Sequence, residues 1–456
     1  MRYFGFHQPV NNSIRPGHDA GVAVFDDDGK LEFCASLERL SRLRHDAGPA
    51  TKIWEYAFAP VPGRGDIIAY PHPGYPVHFS SSIDTLVVGH HVAQAACSWL
   101  WRLDDRRRKY IAYDGWGYTE AGMGTSSQWG TIGPEGIIQG QTGTIPSSSP
   151  LSRPFGFGGT GKLMGLSGYY YDQPARDIWF LRRQRNPSER TLRKLAGFYR
   201  WKIEEIWRAI EPHIDGPVVI GGGTTLALEL NSRIYEKAGD VVFGPPADDS
   251  GLALGAAAIA YHTVTGKWPK LDRVDLLNGP AIAASGPQRQ DCIASILANG
   301  FPVGLIRGYA EAGPRALGFR SLLARPCEDA IHKLSIGLKG REYYRPLAPV
   351  VTDRHFDRLF IGPRGRWMQY RVQCTDEARK LTPGIVHRDG SSRPQVLRQC
   401  DDPWLYDLLV EFGKLYGVEC LVNTSLNGPG KPICHTIADA RHDFSDRLLL
   451  AAIKGT

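Results

Sequence analysis

Short apolar runs that stop at glycine alternate with stretches of helical spacing along the first part of the chain. MRYFGFHQ reads as a strand. It is followed by a polar loop ending in RPGHDA, then by GVAVFDDDGKLEFCASLE, which alternates apolar and polar positions on either side of an Asp-Gly turn and predicts a hairpin. VVGHHVAQAAC (87–97) closes a short apolar run with His90 and His91 and then starts a small-residue helix. YIAYDGWG (110–117) and PVVIGGG (217–223) predict buried strands, the second running into the helix-like TLALELNSRIYEKAG. The order strand, glycine turn, helix recurs in VVFGPPADDSGLALGAAAIAYHTV (241–264). Residues 140–160 read as a Ser/Pro/Gly-rich loop and 176–208 as an arginine-rich helical stretch. The recurrence predicts an α/β fold with duplicated halves at the N-terminal end.

From about residue 268 the pattern changes to proline-bounded linkers and loops dense in arginine and aromatic residues, which places a boundary near 265–285. Two domains follow, 1–270 and 271–456, consistent with a length of 456 residues. A composition of 42% hydrophobic and 22% charged residues is that of a globular protein and excludes a disordered chain. No apolar run reaches the roughly 18 residues of a membrane span, and the start lacks a signal peptide's apolar segment. The expected setting is cytoplasmic, with no membrane partner. Eight cysteines without a CxxC pair argue against a zinc knuckle or a disulfide framework. The net charge of +7 favours anionic partners such as nucleotides, acyl phosphates or nucleic acid.

One tempting motif fails its context. GFGGTGKL (156–163) fits a phosphate loop except that Leu163 stands where a Mg²⁺-binding Ser or Thr is required, and SSSPLSRP before it cannot be a buried strand. Lys162 and its glycines are left as either a phosphate contact or a surface loop. RPGHDAG (15–21) offers His18 as a general base oriented by Asp19, and a turn stabilised by the Asp fits equally well. ADDSGLALGAA (247–257) places two carboxylates before a helix start, and His90, Asp114 and Asp249 would make a mixed nitrogen and oxygen set for a divalent metal. EAGPRALGFRS (311–321), LKGREYYRPLAP (338–349), DGSSRPQV (389–396) and LVNTSLNGPGKPI (421–433) each put Arg or Lys beside Gly, Pro or Ser, as phosphate-gripping loops do.

These segments, with ERLSRLRHD, GKLMGLS and GGGTTLALELNSRI, follow the order and nearly the wording of the ATP-dependent O-carbamoyltransferases of NodU and CmcH type, which the chain resembles over almost its whole length. The resemblance implies an N-terminal duplicated actin/sugar-kinase-like domain and a C-terminal YrdC-like α/β domain. It implies that carbamoyl phosphate and ATP form a carbamoyl adenylate in the second domain. An acceptor hydroxyl, on a small molecule or a nucleic acid, then takes the carbamoyl group in the first. Arg315, Lys339, Arg341, Arg345, Arg393, Asn423 and Ser425 would serve activation, with Lys162, Gly221, Gly222 and Gly223 along the nucleotide. His18 and Asp19 would serve transfer, and His90, Asp114 and Asp249 would hold the metal, whether iron, Mg²⁺ or Mn²⁺. The family usually reads HHxAH, its outer histidines ligating the metal; here the last position is Gln94, a much weaker ligand. The basic runs WLWRLDDRRRKY (99–110) and 176–208 would suit either a nucleic-acid backbone or a solvated face. The rival reading is a nucleotide-binding protein of the same fold without transfer chemistry. A threonylcarbamoylation enzyme is disfavoured by the domain order and the GPRALG segment.

Overall fold

A computed structural model of the chain describes residues 1–8, 19–46, 48–57, 59–71, 83–118, 124–143, 160–170, 187–279 and 282–454. The hairpin expected at the start is β1 (Tyr3–His7) against β2 (Gly21–Phe25), with β3 (Leu31–Ser36) beyond the Asp-Gly turn. β4 (Ile67–Tyr70) and β5 (Asp84–Val87) add in parallel on the other side, giving the order β3-β2-β1-β4-β5. The second sheet repeats this plan. Its central strand β6 (Arg108–Tyr118) carries β7 (Gly124–Gly133) and β8 (Gly136–Gly143) antiparallel on one side. On the other side run β9 (Val218–Gly221) and β10 (Val241–Phe243) in parallel. Both sheets thus place their strands third, second, first, fourth, fifth, and the duplicated halves are a property of the topology.

The apolar runs are continuous because both faces of the first sheet are covered. Tyr3, Ala23 and Phe25 face the central core, whereas Phe4, Phe6, Val22 and Val24 pack with Leu37 and Ile53 on the outer side. Between the sheets lie two helices, His90–Trp99 and Leu252–Thr265, whose small residues are apolar nearly all round, as a buried helix requires. Their backbones meet at Gly255, where a Cβ would sit 1.9 Å from the carbonyl oxygen of Ala93. This approach is what brings the start of one helix, with His90, against the turn before the other, with Asp249. Lys162, open between a phosphate contact and a surface loop, sits on a helix, Thr160–Tyr169, packed by Leu163 and Leu166 into the central core.

After Thr265 the described residues form no helix until Gln290–Ala298. A six-stranded mixed sheet follows, in the order 395–397, 349–352, 420–425, 320–324, 303–307, 449–453. The helices Gln290–Ala298 and Pro403–Tyr416 cover one face. Val351, Phe356, Ile385 and Val422 pack together on the other.

Buried polar contacts join this unit to the first. Arg39 donates to the carbonyl oxygens of Glu311 (3.3 Å) and Gly313 (2.9 Å). Arg42 reaches Asp443 at 2.7 Å and the carbonyls of Pro432 and Ile433 at 3.0 Å. Asn231 donates to the carbonyl of Gln369 at 2.8 Å, and Trp367 to that of Phe243 at 3.1 Å. His435 is buried in the same seam, its Nε2 3.0 Å from the carbonyl of Asn278. Burial, and then Arg320 and Arg39, push its pKa down to about 3.

An imidazole kept neutral when folded binds its proton first in the unfolded chain. The stability it contributes is whole above its ordinary pKa and is lost as pH falls through about 6.5 toward 3. Between about pH 7 and about pH 5 the wild type should therefore lose about 2 kcal/mol more than His435→Gln. Urea unfolding at the two pH values measures this, and parallel losses would remove His435 as the titrating group.

Candidate active site

A cavity of about 520 Å³ lies where the two units meet, lined by the Glu38–His45 segment and the Thr160–Tyr169 helix on one side and the arginine-bearing loops on the other. Ten lysine and arginine side chains line it against five carboxylates, so positive charge is in surplus. Several of these cations are partly buried side by side, and Lys339 is buried. Burial pushes Arg315 down to about 10, and burial followed by Arg345 and Arg315 pushes Arg341 down to about 9. Arg393 falls well below its ordinary range through burial and then through Arg315, Arg341 and Arg345. Each such shift measures how poorly the folded chain alone solvates the charge, and a polyanion in the cavity would relieve it.

The loops are held from behind. The buried Glu311 accepts from the backbone N–H of Leu317 (2.8 Å) and Arg320 (3.2 Å), which shapes the turn carrying Arg315. Asn423 donates to the carbonyl of Ala316 (3.2 Å) and to Gln395 (2.9 Å), tying the same turn to the sheet. Lys339 donates to the carbonyl and hydroxyl oxygens of Ser425 and to Asn427, whose side-chain oxygen is 2.7 Å away. Burial, then Arg341, hold this ammonium well below its usual pKa, and Asn427 escapes a search for charged residues although it completes the lysine's shell. Glu342 joins the two units by pairing with Lys162 at 2.5 Å and with Arg345 at 3.6 Å. Arg315, Lys339, Arg341, Arg345, Arg393, Asn423, Ser425 and Lys162 all reach this cavity.

On the N-terminal side, His18 falls outside the described residues. Asp19 sits with Glu38 and His45, their ligand atoms within 4.8 Å, and Glu38 and His45 line the cavity. Of the three glycines only Gly223 lines it; Gly221 and Gly222 lie behind, against Gln94 and Tyr113. Asp114 accepts from the Gly223 N–H at 2.9 Å, connecting the glycine turn to the histidine cluster.

His90, Asp114 and Asp249 do converge, with ligand atoms within 4.8 Å of one another. Burial alone would push His90 down, but Asp249 and Asp114 outweigh it and raise its pKa to about 9. Among these groups lies the Gln94 amide nitrogen, 2.6 Å from Asp114 Oδ2, 2.8 Å from Asp249 Oδ1 and 3.1 Å from His90 Nε2. An amide NH₂ offers two donors and no lone pair to a metal. As arranged, the Gln94 amide nitrogen stands in the space that these three ligand atoms surround.

Residues 294–453 match the family described as Carbamoyltransferase C-terminus. The chain is 34% identical over 232 residues to Nodulation protein U of Azorhizobium caulinodans, covering 48% of this chain and 41% of that protein. It is 34% identical over 237 residues to the 3'-hydroxymethylcephem-O-carbamoyltransferase of Amycolatopsis lactamdurans, covering 49% of this chain and 45% of that one. Over residues 294–453 the chain is thus similar to the C-terminal part of carbamoyltransferases. The chain spans less than half the length of either of these relatives. Among solved structures, component A of (R)-2-hydroxyglutaryl-CoA dehydratase from Acidaminococcus fermentans aligns with 58% of this chain and 98% of its own, at 14% identity and a TM-score of 0.36.

The carbamoyltransferase segment contains every cationic loop of the cavity between Arg315 and Lys431, whereas Lys162, Arg44 and the histidine cluster come from outside it. In the 102–109 run the cations are paired with carboxylates. Arg102 pairs with Asp105, Arg106 with Asp104, Arg107 with Glu135, Arg108 with Asp104 and Asp240, and Lys109 with Asp215. In the helix Glu189–Ile210, Arg193 pairs with Glu189 and Lys202 with Glu205; residues 176–186 fall outside the described residues. Among the described residues no helix is long and apolar enough to cross a membrane. All eight cysteines are free thiols.

Gly222 has φ +96°, and a Cβ on it would lie 2.1 Å from the carbonyl oxygen of Tyr113 in β6. Gly222→Ala must strain the turn and push it off the strand, at an expected cost of about 2–4 kcal/mol in urea unfolding. A cost near zero would show that the turn is free to move.

Proposed function

We propose that the chain is an ATP-dependent O-carbamoyltransferase. The observation that carries this reading is the surplus of clustered cations on a cavity that both units line, most of them in a segment similar to carbamoyltransferases. Carbamoyl phosphate is first hydrolysed to carbamate and phosphate. A carbamate oxygen then attacks the α-phosphorus of ATP, forming carbamoyl adenylate and expelling pyrophosphate. Arg315, Arg341, Arg345 and Arg393 are the groups suited to the charge on the phosphates, because guanidinium forks match tetrahedral oxyanions. Lys339, whose donors face Ser425 and Asn427, positions their loop.

In the second step an acceptor hydroxyl attacks the carbamoyl carbon, the bond to AMP breaks, and the hydroxyl proton passes to a base, the role assigned to His18 with Asp19 beside it. The Gly223 turn, fixed by Asp114, offers a backbone wall for the nucleotide. The pairing of the 102–109 basic run with carboxylates favours a small hydroxylated molecule over a nucleic acid as acceptor.

Pyrophosphate release from ATP and carbamoyl phosphate tests the reading, and nucleotide binding without turnover would refute it. Arg315→Ala and Arg393→Ala should each lower the rate by about 100-fold or more. Because each removes a cation from a like-charged group, the unfolding temperature of the unliganded chain should stay level or rise. Unaltered turnover in either variant would remove that arginine from the activation step.

A further inference from the structure

Gln94 is fully buried in the first turns of the helix His90–Trp99, and its amide faces Asp114, Asp249 and both histidines. Two carboxylate oxygens approach one nitrogen, at 2.6 and 2.8 Å. Carboxylates this close repel unless a cation or a pair of donors lies between them. The surroundings also fix which way the amide points. Turned over, it would set its oxygen against both carboxylates, acceptor on acceptor, whereas in the orientation seen Oε1 faces His91 Nδ1 at 3.0 Å. His90 adds a further contact, 3.1 Å from Asp249 Oδ1.

We propose that the Gln94 amide takes the structural place of the metal ion that the family pattern implies, so that this chain keeps its His90, Asp114 and Asp249 cluster assembled with no resident transition metal. The two N–H groups bridge the carboxylates as an ion would, and Asp114 Oδ2 accepts from the Gly223 N–H as well. A single substitution should then convert the cluster, since Gln94→His exchanges a donor for an imidazole lone pair among three groups already converged within 4.8 Å. The inference does not require carbamoyl transfer to be the activity, and its test does not measure it.

The full chain, stripped with chelator, is titrated with Co²⁺, and retained metal is measured by elemental analysis together with ligand-field absorption. Wild type should retain far less than one equivalent. Gln94→His should retain about one equivalent and bind at least about tenfold more tightly. As a second arm, Gln94→Glu places a third carboxylate in the cluster, so Mn²⁺ should raise its unfolding temperature and leave that of wild type unmoved. The proposal is overturned if wild type holds about one equivalent of Co²⁺ or unfolds earlier in chelator. A folded Gln94→His chain with wild-type affinity, or a Gln94→Glu chain that Mn²⁺ does not stabilise, overturns it as well.

Discussion

Like charges held together inside a protein are the constraint around which this molecule is arranged. Burial depresses Arg315, Arg341 and Arg393, and the arginines around them, Arg345 among these, add to the effect. Water cannot solvate them fully and the carboxylates at hand are too few. Loops carrying such a group would splay unless anchored elsewhere. The anchors are neutral or internally paired: Glu311 against two backbone N–H groups, Asn423 across to Gln395, Lys339 against Ser425 and Asn427. The strain falls on the side chains that face the ligand, and the backbone beneath them is fixed.

The N-terminal unit solves a matching problem with opposite signs. Gln94 and Asp249 come together because two small-residue helices touch at Gly255 and Ala93, Asp114 reaches the same place from β6, and the closeness of the two carboxylates demands a donor between them. Gln94 supplies it. The same carboxylate that Gln94 holds also holds Gly223, so the acidic cluster and the cavity are mechanically one piece. Across the seam, Arg39 and Arg42 tie the N-terminal unit to the loops that bear Arg315 and Lys431. A single cavity therefore serves residues from both halves of the chain.

Much of this could be read from the sequence for definable reasons. Alternation around the Asp-Gly turn, and short apolar runs ended by glycine, marked β1, β2, β6, β9 and β10, because such runs are too brief for a helix and are bounded by turn residues. The phosphate-facing loops were legible because Arg beside Gly or Pro is a local signature. Lys162 was harder: the glycines and Ser around it left a phosphate contact and a surface loop both open, and tertiary packing of Leu163 and Leu166 makes a helix there. β7 and β8 carry weak alternation and many polar residues, so nothing local announced them. Asn427, Glu311 and the seam arginines depend on partners far along the chain. Gln94 was visible as a departure from the HHxAH pattern, but its bonds to two carboxylates required the fold.

The account turns on the claim that the surplus positive charge in the cavity exists to be neutralised by a bound polyphosphate. Thermal unfolding of the full chain with and without pyrophosphate tests this most directly, with sodium chloride at matched ionic strength as the control. Ligand that binds only the folded chain stabilises it by about 2.7 kcal/mol at a hundred times its Kd, so the midpoint should climb by several degrees as pyrophosphate rises and level off only slowly. A midpoint that moves no more with pyrophosphate than with chloride would contradict it, and the clustered arginines would need another explanation.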